Sequence, residues 1–122
     1  MTLIPGIGRI AIVNISPEII SLIDEIRNDK VYGASQLARQ AAGVLKVAAE
    51  RSQAGSAEQF LLEQKAVGER LMSARPAMAP VFNIVGGLLS NISETATGMD
   101  LDSIRRLTIS KADEVINNHY RL

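Results

Sequence analysis

Two turns in this sequence carry groups that are able to bind an anion. Tyr32-Gly33-Ala34-Ser35 and Arg75-Pro76-Ala77 each precede a predicted helix, and the free N–H groups and the dipole at a helix start favour a bound phosphate. Gly33 lets a ligand approach the backbone, and Arg75 offers a fork of donors that matches a phosphate. These turns form the candidate phosphate site, although loops also use glycine and proline for purely structural reasons.

Side chains for acid–base or metal chemistry are few. His119 is the single histidine and lies near the end of the last predicted helix, where the helix dipole favours a cation. The sequence has no cysteine, so it offers no thiolate nucleophile and no recognisable zinc set. Carboxylates such as Asp24, Glu69 and Asp113 are spread among Arg and Lys, which is typical of a solvated face. We therefore predict no catalytic residue, no metal site and no cofactor.

The composition is that of a globular chain without charge bias. The 122 residues are 47% apolar and 21% charged, with 13 basic and 13 acidic side chains, so a single core is expected. A net charge of zero removes the long-range attraction to phosphates, and no nucleic-acid partner is predicted. The lack of cysteine fits a reducing compartment, and we expect a cytoplasmic protein.

The first residues are apolar but do not have the pattern of a signal peptide. No basic region precedes them, and Pro5, Gly6 and Gly8 interrupt the apolar run. Gly6-Ile7-Gly8 is a turn rather than a dinucleotide fingerprint, which needs a third glycine. No run of the sequence approaches the ~18 apolar residues that cross a bilayer. Residues 1–15 are predicted to be an N-terminal arm, and whether that arm is extended or forms a short strand is left open.

Hydrophobic periodicity predicts five helices that position the two turns. Their expected spans are Pro17 to about Asn28, Ala34 to about Ser52, Ser56 to about Met72, Pro76 to about Ile92, and Leu101 to about Tyr120. The fourth is apolar nearly all round, which predicts burial on more than one side, and Gly86-Gly87 is expected to bend it or admit a close neighbour. The second is rich in alanine, and small residues let a neighbouring helix approach closely. Helix caps are expected at Ser16 and Asp100, and Ser56 and Gln59 have the spacing of a capping box. Neither a linker nor a fixed repeat divides the chain. The predicted fold class is all-α, with one compact bundle over residues 16–122.

The two turns and their surroundings resemble a known family. Ile26-Arg27-Asn28-Asp29-Lys30-Val31-Tyr32-Gly33-Ala34-Ser35-Gln36-Leu37-Ala38, followed later by Ser73-Ala74-Arg75-Pro76-Ala77-Met78-Ala79-Pro80, is similar to the N-terminal helical domain of one group of proteins. That group contains the α, β and δ subunits of translation initiation factor 2B, the archaeal ribose-1,5-bisphosphate isomerases and the methylthioribose-1-phosphate isomerases. The resemblance covers roughly residues 17–120 and implies a helical bundle.

The departures from this family limit what the resemblance implies. In its isomerases a larger Rossmann-like domain supplies the catalytic cysteine and aspartate, and the sequence ends before such a domain, so we expect no catalysis by this chain alone. Tyr32 stands where the family turn carries an arginine, and one phosphate contact is therefore missing. By position, Gly33, Ala34 and Arg75 carry over as candidate ligand-binding residues for phosphate.

Three hypotheses for the function follow. The first is a non-catalytic protein-interaction or regulatory domain related to initiation factor 2B subunits, with a homodimer partner or a family-related protein. The second is a sugar-phosphate or nucleotide binding module, a partial isomerase completed by another chain, that uses Gly33, Ala34 and Arg75. The third is a truncated remnant without function, or a generic bundle whose resemblance is accidental. The first is favoured, because the sequence lacks catalytic equipment and we expect its apolar content to leave an exposed apolar patch on one small bundle.

Overall fold

The structure is an all-α bundle, as the sequence predicts. The computed structural model describes residues 15–120 and the side chains of residues 15–117. Five helices follow one another: α1 Pro17–Asn28, α2 Ala34–Arg51, α3 Ala57–Ala74, α4 Ala79–Thr95 and α5 Leu101–Tyr120. Predicted features outside the described part are the arm over residues 1–14 and the side chain of His119. No helix in the described part is long and apolar enough to cross a membrane.

Helix α2 lies at the centre of the bundle and touches each of the other four helices. Its buried face is made largely of small side chains, with Ala38, Ala41, Ala42 and Ala49 all 0% exposed. Alanine leaves no bulky group between helices, so neighbouring axes are able to approach closely. The alanine-rich pattern of the sequence predicted this close packing, and the structure confirms it.

The buried apolar residues form two clusters along α2. The larger one contains Ile19, Ile23 and Ile26 of α1 and reaches Val85 and Leu88 of α4. The smaller cluster forms where α3 and α5 begin, and its residues are Ala49, Ala54, Phe60, Ala96 and Ile104. Helices α2 and α3 contribute buried residues to both clusters, so these two helices connect the two ends of the bundle.

The helix starts use the caps that the sequence indicates. Ser16 Oγ accepts the N–H of Ile19 at 3.4 Å, and Asp100 Oδ1 accepts the N–H of Ser103 at 2.8 Å. Hydrogen bonds from Ser103 lower the pKa of the Asp100 carboxyl below its ordinary value. The Asp100 cap therefore stabilises the fold fully at a pH above the ordinary pKa of a carboxyl group. This contribution is lost as the pH falls through the lowered pKa of Asp100.

The expected capping box at the start of α3 is formed in a modified way. Ser56 Oγ accepts the N–H of Gln59 at 3.1 Å, as the spacing predicts. The side chain of Gln59, however, accepts the N–H of Gly55 at 3.1 Å, one residue before the cap. Both bonds satisfy N–H groups that precede the first intrahelical bond, so the helix start is closed from two sides.

The predicted start of the fourth helix was wrong. Pro76 lies in a turn that the N–H of Met78 closes on the carbonyl of Arg75 at 3.0 Å, and α4 begins only at Ala79. Pro80, within the first turn of α4, takes the position that the sequence assigned to Pro76. Either proline suits a first turn, because neither needs to donate there. The local sequence therefore does not distinguish them.

Helix α3 packs closely against α4 at Gly68, which is buried. A Cβ atom built there would overlap Leu89 Cδ1 and would lie 3.2 Å from Leu89 Cγ and 3.3 Å from Val85 Cγ1. Gly87, by contrast, would place a Cβ in open space, and Gly86 would bring one no closer than 4.0 Å to Met72 Sδ. The sequence indicated Gly86-Gly87 as a place where a neighbouring helix approaches closely. The structure instead shows that the contact between α3 and α4 leaves no room for a side chain at Gly68.

We expect Gly68→Ala to lower the free energy of unfolding by about 0.5–2 kcal/mol. The added methyl group must displace Leu89 and Val85, and the cost of this displacement exceeds the gain in helix propensity. Gly43→Ala is the matched control: it also lies within a helix, and its Cβ would meet nothing within 4 Å. That change should stabilise the chain by about 0.5–1 kcal/mol. Urea unfolding followed by circular dichroism measures both, and equal stabilisation by the two changes would contradict the close contact.

Candidate functional site

Arg75 joins the turn between α3 and α4 to the end of α1. Its Nη1 atom donates to the carbonyl oxygens of Ile26 at 2.9 Å, Arg27 at 3.2 Å and Asp29 at 2.8 Å. Carbonyls in the last turn of a helix have no intrahelical donor, and the negative end of the helix dipole favours a cation. Arg75 therefore acts as a remote cap of α1.

The connection between α1 and α2 is closed by Asp29. Its Oδ1 atom accepts the N–H of Val31 at 2.9 Å and the N–H of Tyr32 at 2.8 Å, a turn in which the side chain replaces a backbone acceptor. The carbonyl of the same residue bonds Arg75. Asp29 thus fixes the path of the connection through its side chain and anchors it to the α3–α4 turn through its backbone.

Gly33 is the residue that caps the start of α2. Its backbone is extended, with φ −82° and ψ 178°, and no side chain accepts a hydrogen bond at this helix start. A Cβ added at Gly33 would meet nothing within 4 Å, so neither the backbone conformation nor crowding requires glycine here. Ala34 follows as the first residue of the helix and is half-buried. The start of α2 therefore lacks the side-chain cap that Ser16, Ser56 and Asp100 provide elsewhere.

The structure brings the two predicted turns to one end of the bundle. Arg75 contacts Asp29, and the connection from Asp29 leads to Gly33 and Ala34. The guanidinium Nη1 of Arg75 is occupied by carbonyl oxygens, which explains this arginine without a ligand. Phosphate binding by Gly33, Ala34 and Arg75 stays a prediction.

Three large apolar side chains are exposed at this same end. Val31 is 84% exposed, Tyr32 48% and Phe82 51%. Phe82 belongs here because its N–H bonds the carbonyl of Met78 at 3.2 Å, and the N–H of Met78 bonds the carbonyl of Arg75. We call residues 29–34, 75–78 and Phe82 the Arg75 end. Large apolar groups held in water on a fixed framework are typical of a protein contact surface.

The exposure of Phe82 differs from the prediction that α4 is buried on several sides. The buried residues of α4 are Val81, Val85, Leu88 and Ile92, which follow a spacing of three and four. Phe82 lies off this stripe. The helix does pack on α2, α3 and α5, but one face of it, with Phe82, Asn83, Gly87 and Ser90, is exposed. Helical spacing counted from Val81 would have separated Phe82 from the core.

A second feature is a groove of about 520 Å³ between α3 and α4. Its apolar wall is formed by Leu61, Leu62, Met72, Leu89 and Ile92, and its rim by Glu58, Lys65, Glu69, Ser90, Ser93 and Glu94. Leu62 is 36% exposed, so the groove presents apolar surface to solvent.

Gln64 lies in the wall of this groove and is only 1% exposed. Its Nε2 atom donates to the carbonyl of Leu45 at 3.3 Å. Its Oε1 atom is buried and has no hydrogen-bond partner within the described part of the chain. A buried acceptor left without a donor costs about 1–3 kcal/mol, so a donor supplied at this groove would stabilise the fold.

Comparison with known proteins finds ribose 1,5-bisphosphate isomerases among the proteins to which this chain is similar. Ribose 1,5-bisphosphate isomerase of Thermococcus kodakarensis is 29% identical over 102 residues, covering 83% of this chain and 32% of the relative. That of Pyrococcus furiosus is 30% identical over 103 residues, again covering 83% and 32%. The chain thus spans about a third of the length of these relatives.

Comparison of the fold gives the same result. A crystal structure of 5-methylthioribose 1-phosphate isomerase from Pyrococcus horikoshii matches with a TM-score of 0.75 and 26% identity, over 82% of this chain and 28% of that one. The bundle is therefore an all-α domain shared with part of an isomerase. The sequence model of the Initiation factor 2 subunit family matches residues 30–121, and the chain belongs to that family. The resemblance noted in the sequence is confirmed.

We expect Arg75→Ala to lower the free energy of unfolding by about 1.5–3 kcal/mol, because three carbonyl groups at the end of α1 lose a charged donor. Arg70→Ala is the control: Arg70 is exposed on the neighbouring helix α3, and we expect a change within about 0.5 kcal/mol. Chemical unfolding in urea checks both values. Equal stability of the two variants would show that Arg75 does not hold α1.

Proposed function

We propose that this chain acts as a non-catalytic association domain of the Initiation factor 2 subunit family, and that the Arg75 end is its contact surface. The observation that carries the proposal is the position of its exposed apolar groups. Of the four large apolar side chains exposed within the described residues, Val31, Tyr32 and Phe82 lie at this end, whereas Leu62 lies in the groove.

The chemistry of the Arg75 end supports a protein partner. Aromatic side chains such as Tyr32 and Phe82 supply much contact area for little lost rotamer freedom, and they are enriched at protein interfaces. The hydrogen bonds of Asp29 and Arg75 hold the two connections together before any partner arrives. A surface already ordered in this way loses less entropy on binding than a mobile loop does.

The partner that we propose is a second copy of this chain or another chain of the same family. The relatives are about three times as long as the part that matches, so a related chain carries further segments that are available for contact with this bundle. A symmetric dimer would cover the same residues on both copies. We place this association in the cytoplasm, in keeping with a chain that has no cysteine.

A sugar-phosphate module is the second candidate, and the start of α2 favours it. Gly33 offers no side-chain cap there, so the first N–H groups of the helix remain suited to an anion. Calorimetric titration with ribose 1,5-bisphosphate, the compound named for the relatives, tests this candidate. A heat of binding that saturates near one ligand per chain would support this candidate. A titration that releases no heat of binding would contradict it.

We expect the double change Tyr32→Ser with Phe82→Ser to weaken self-association, or association with a family chain, by at least about tenfold. Light scattering across a dilution series measures the solution mass and hence the dissociation constant. Leu62→Ser is the control, since Leu62 is also exposed but lies away from the Arg75 end, and it should leave the constant unchanged.

A chain that stays monomeric at every concentration and beside family proteins would contradict the proposal. Association that survives the double change but is lost in Leu62→Ser would move the contact surface to the groove.

A further inference from the structure

The groove between α3 and α4 has a defined direction. At one end Met72 faces Gly86, with Glu69 one turn further along α3, and at the other end Glu58 and Leu61 lie near the last turn of α4. From Glu69 to Glu58 the helix rises about 17 Å. Among the described residues, the groove is therefore a channel that runs along three helical turns of α3.

The chain before α1 leaves the described part beside this groove. Ile15 packs against the larger core cluster and lines a smaller cavity of about 280 Å³ together with Ala66, Glu69 and Arg70 of α3. Glu69 lines both this cavity and the groove. Ile15 therefore lies next to the end of the groove that contains Glu69.

The sequence of residues 1–14 is complementary to the groove. It contains the apolar side chains of Leu3, Ile4, Ile7, Ile10, Ala11, Ile12 and Val13, and its one charged side chain is Arg9. The rim carries Glu58, Glu69 and Glu94 against the single cation Lys65, which leaves an excess of negative charge. An apolar segment with one positive charge therefore suits both the wall and the rim.

We propose that residues 1–14 of this chain occupy the groove between α3 and α4 and cover its apolar wall. The length is ample: about five residues in an extended conformation span the 17 Å or so of the channel. A backbone N–H group of this segment would also provide a hydrogen-bond donor for Gln64 Oε1, which has none within the described part of the chain. This contact is independent of the association proposed at the Arg75 end.

The test places a nitroxide spin label at the groove and observes the backbone amide signals of the full chain by NMR. The chain has no cysteine, so Ser93→Cys gives a single label on the rim. Ser110→Cys is the matched control, an equally exposed serine on α5 that does not line the groove. We expect the label at position 93 to abolish the amide signals of residues 3–13 and the label at position 110 to leave them.

A mixed sample separates this chain's own segment from that of a second copy. Spin-labelled chain without isotope is combined with isotope-labelled chain without a spin label, and the signals of residues 3–13 should then persist. Signals that persist with the label at position 93 would overturn the proposal. Signals lost equally in the mixed sample would assign the groove to a second copy and overturn it as well. Circular dichroism of each variant verifies that the helices are intact.

Discussion

The burial of an alanine face on α2 is the constraint on which the rest of the structure depends. Ala38, Ala41, Ala42 and Ala49 are wholly buried, and four other helices pack around the helix that carries them. Small side chains on the central helix allow the axes of the surrounding helices to approach it closely. Because small side chains contribute little apolar area each, the larger residues of the outer helices supply most of the hydrophobic stabilisation.

The packing around α2 leaves the connections at its start without support from the core, and Arg75 provides that support. Its bonds to Ile26 and Asp29 tie a turn that precedes α4 to the end of α1. The side chain of Asp29 then orders the backbone up to Tyr32. A chain of charged and polar contacts thus positions the exposed groups at the Arg75 end, and the stability of this end is linked to that of the fold.

Much of the fold was predictable from the sequence because it depends on local patterns. The cap at Ser16 and the alanine stripe of α2 each act within one helix, and their prediction is confirmed. The start of α4 was not predictable in the same way, because Pro76 and Pro80 both satisfy the local rule, and the structure places Pro76 in a turn that the N–H of Met78 closes on the carbonyl of Arg75.

Less of the candidate site could be predicted. The family suggested by the motif around Gly33 and the turn at Arg75 is confirmed, and the structure brings the two turns to one end of the bundle. The bonds from Arg75 to the end of α1 join residues more than forty positions apart, and no local pattern encodes such a contact. The groove is lined by side chains of two helices, α3 and α4, and the periodicity of a single helix does not predict how two helices pack.

The central claim is that the Arg75 end makes the protein contact, and hydrogen exchange tests it most directly. The chain is measured once as a dilute monomer and once at a concentration, or with a family partner, at which association is complete. We predict slower exchange on association at residues 29–34 and 75–83, with little change along the exposed face of α5. Protection confined to other segments, with the exchange at these two unchanged, would contradict it.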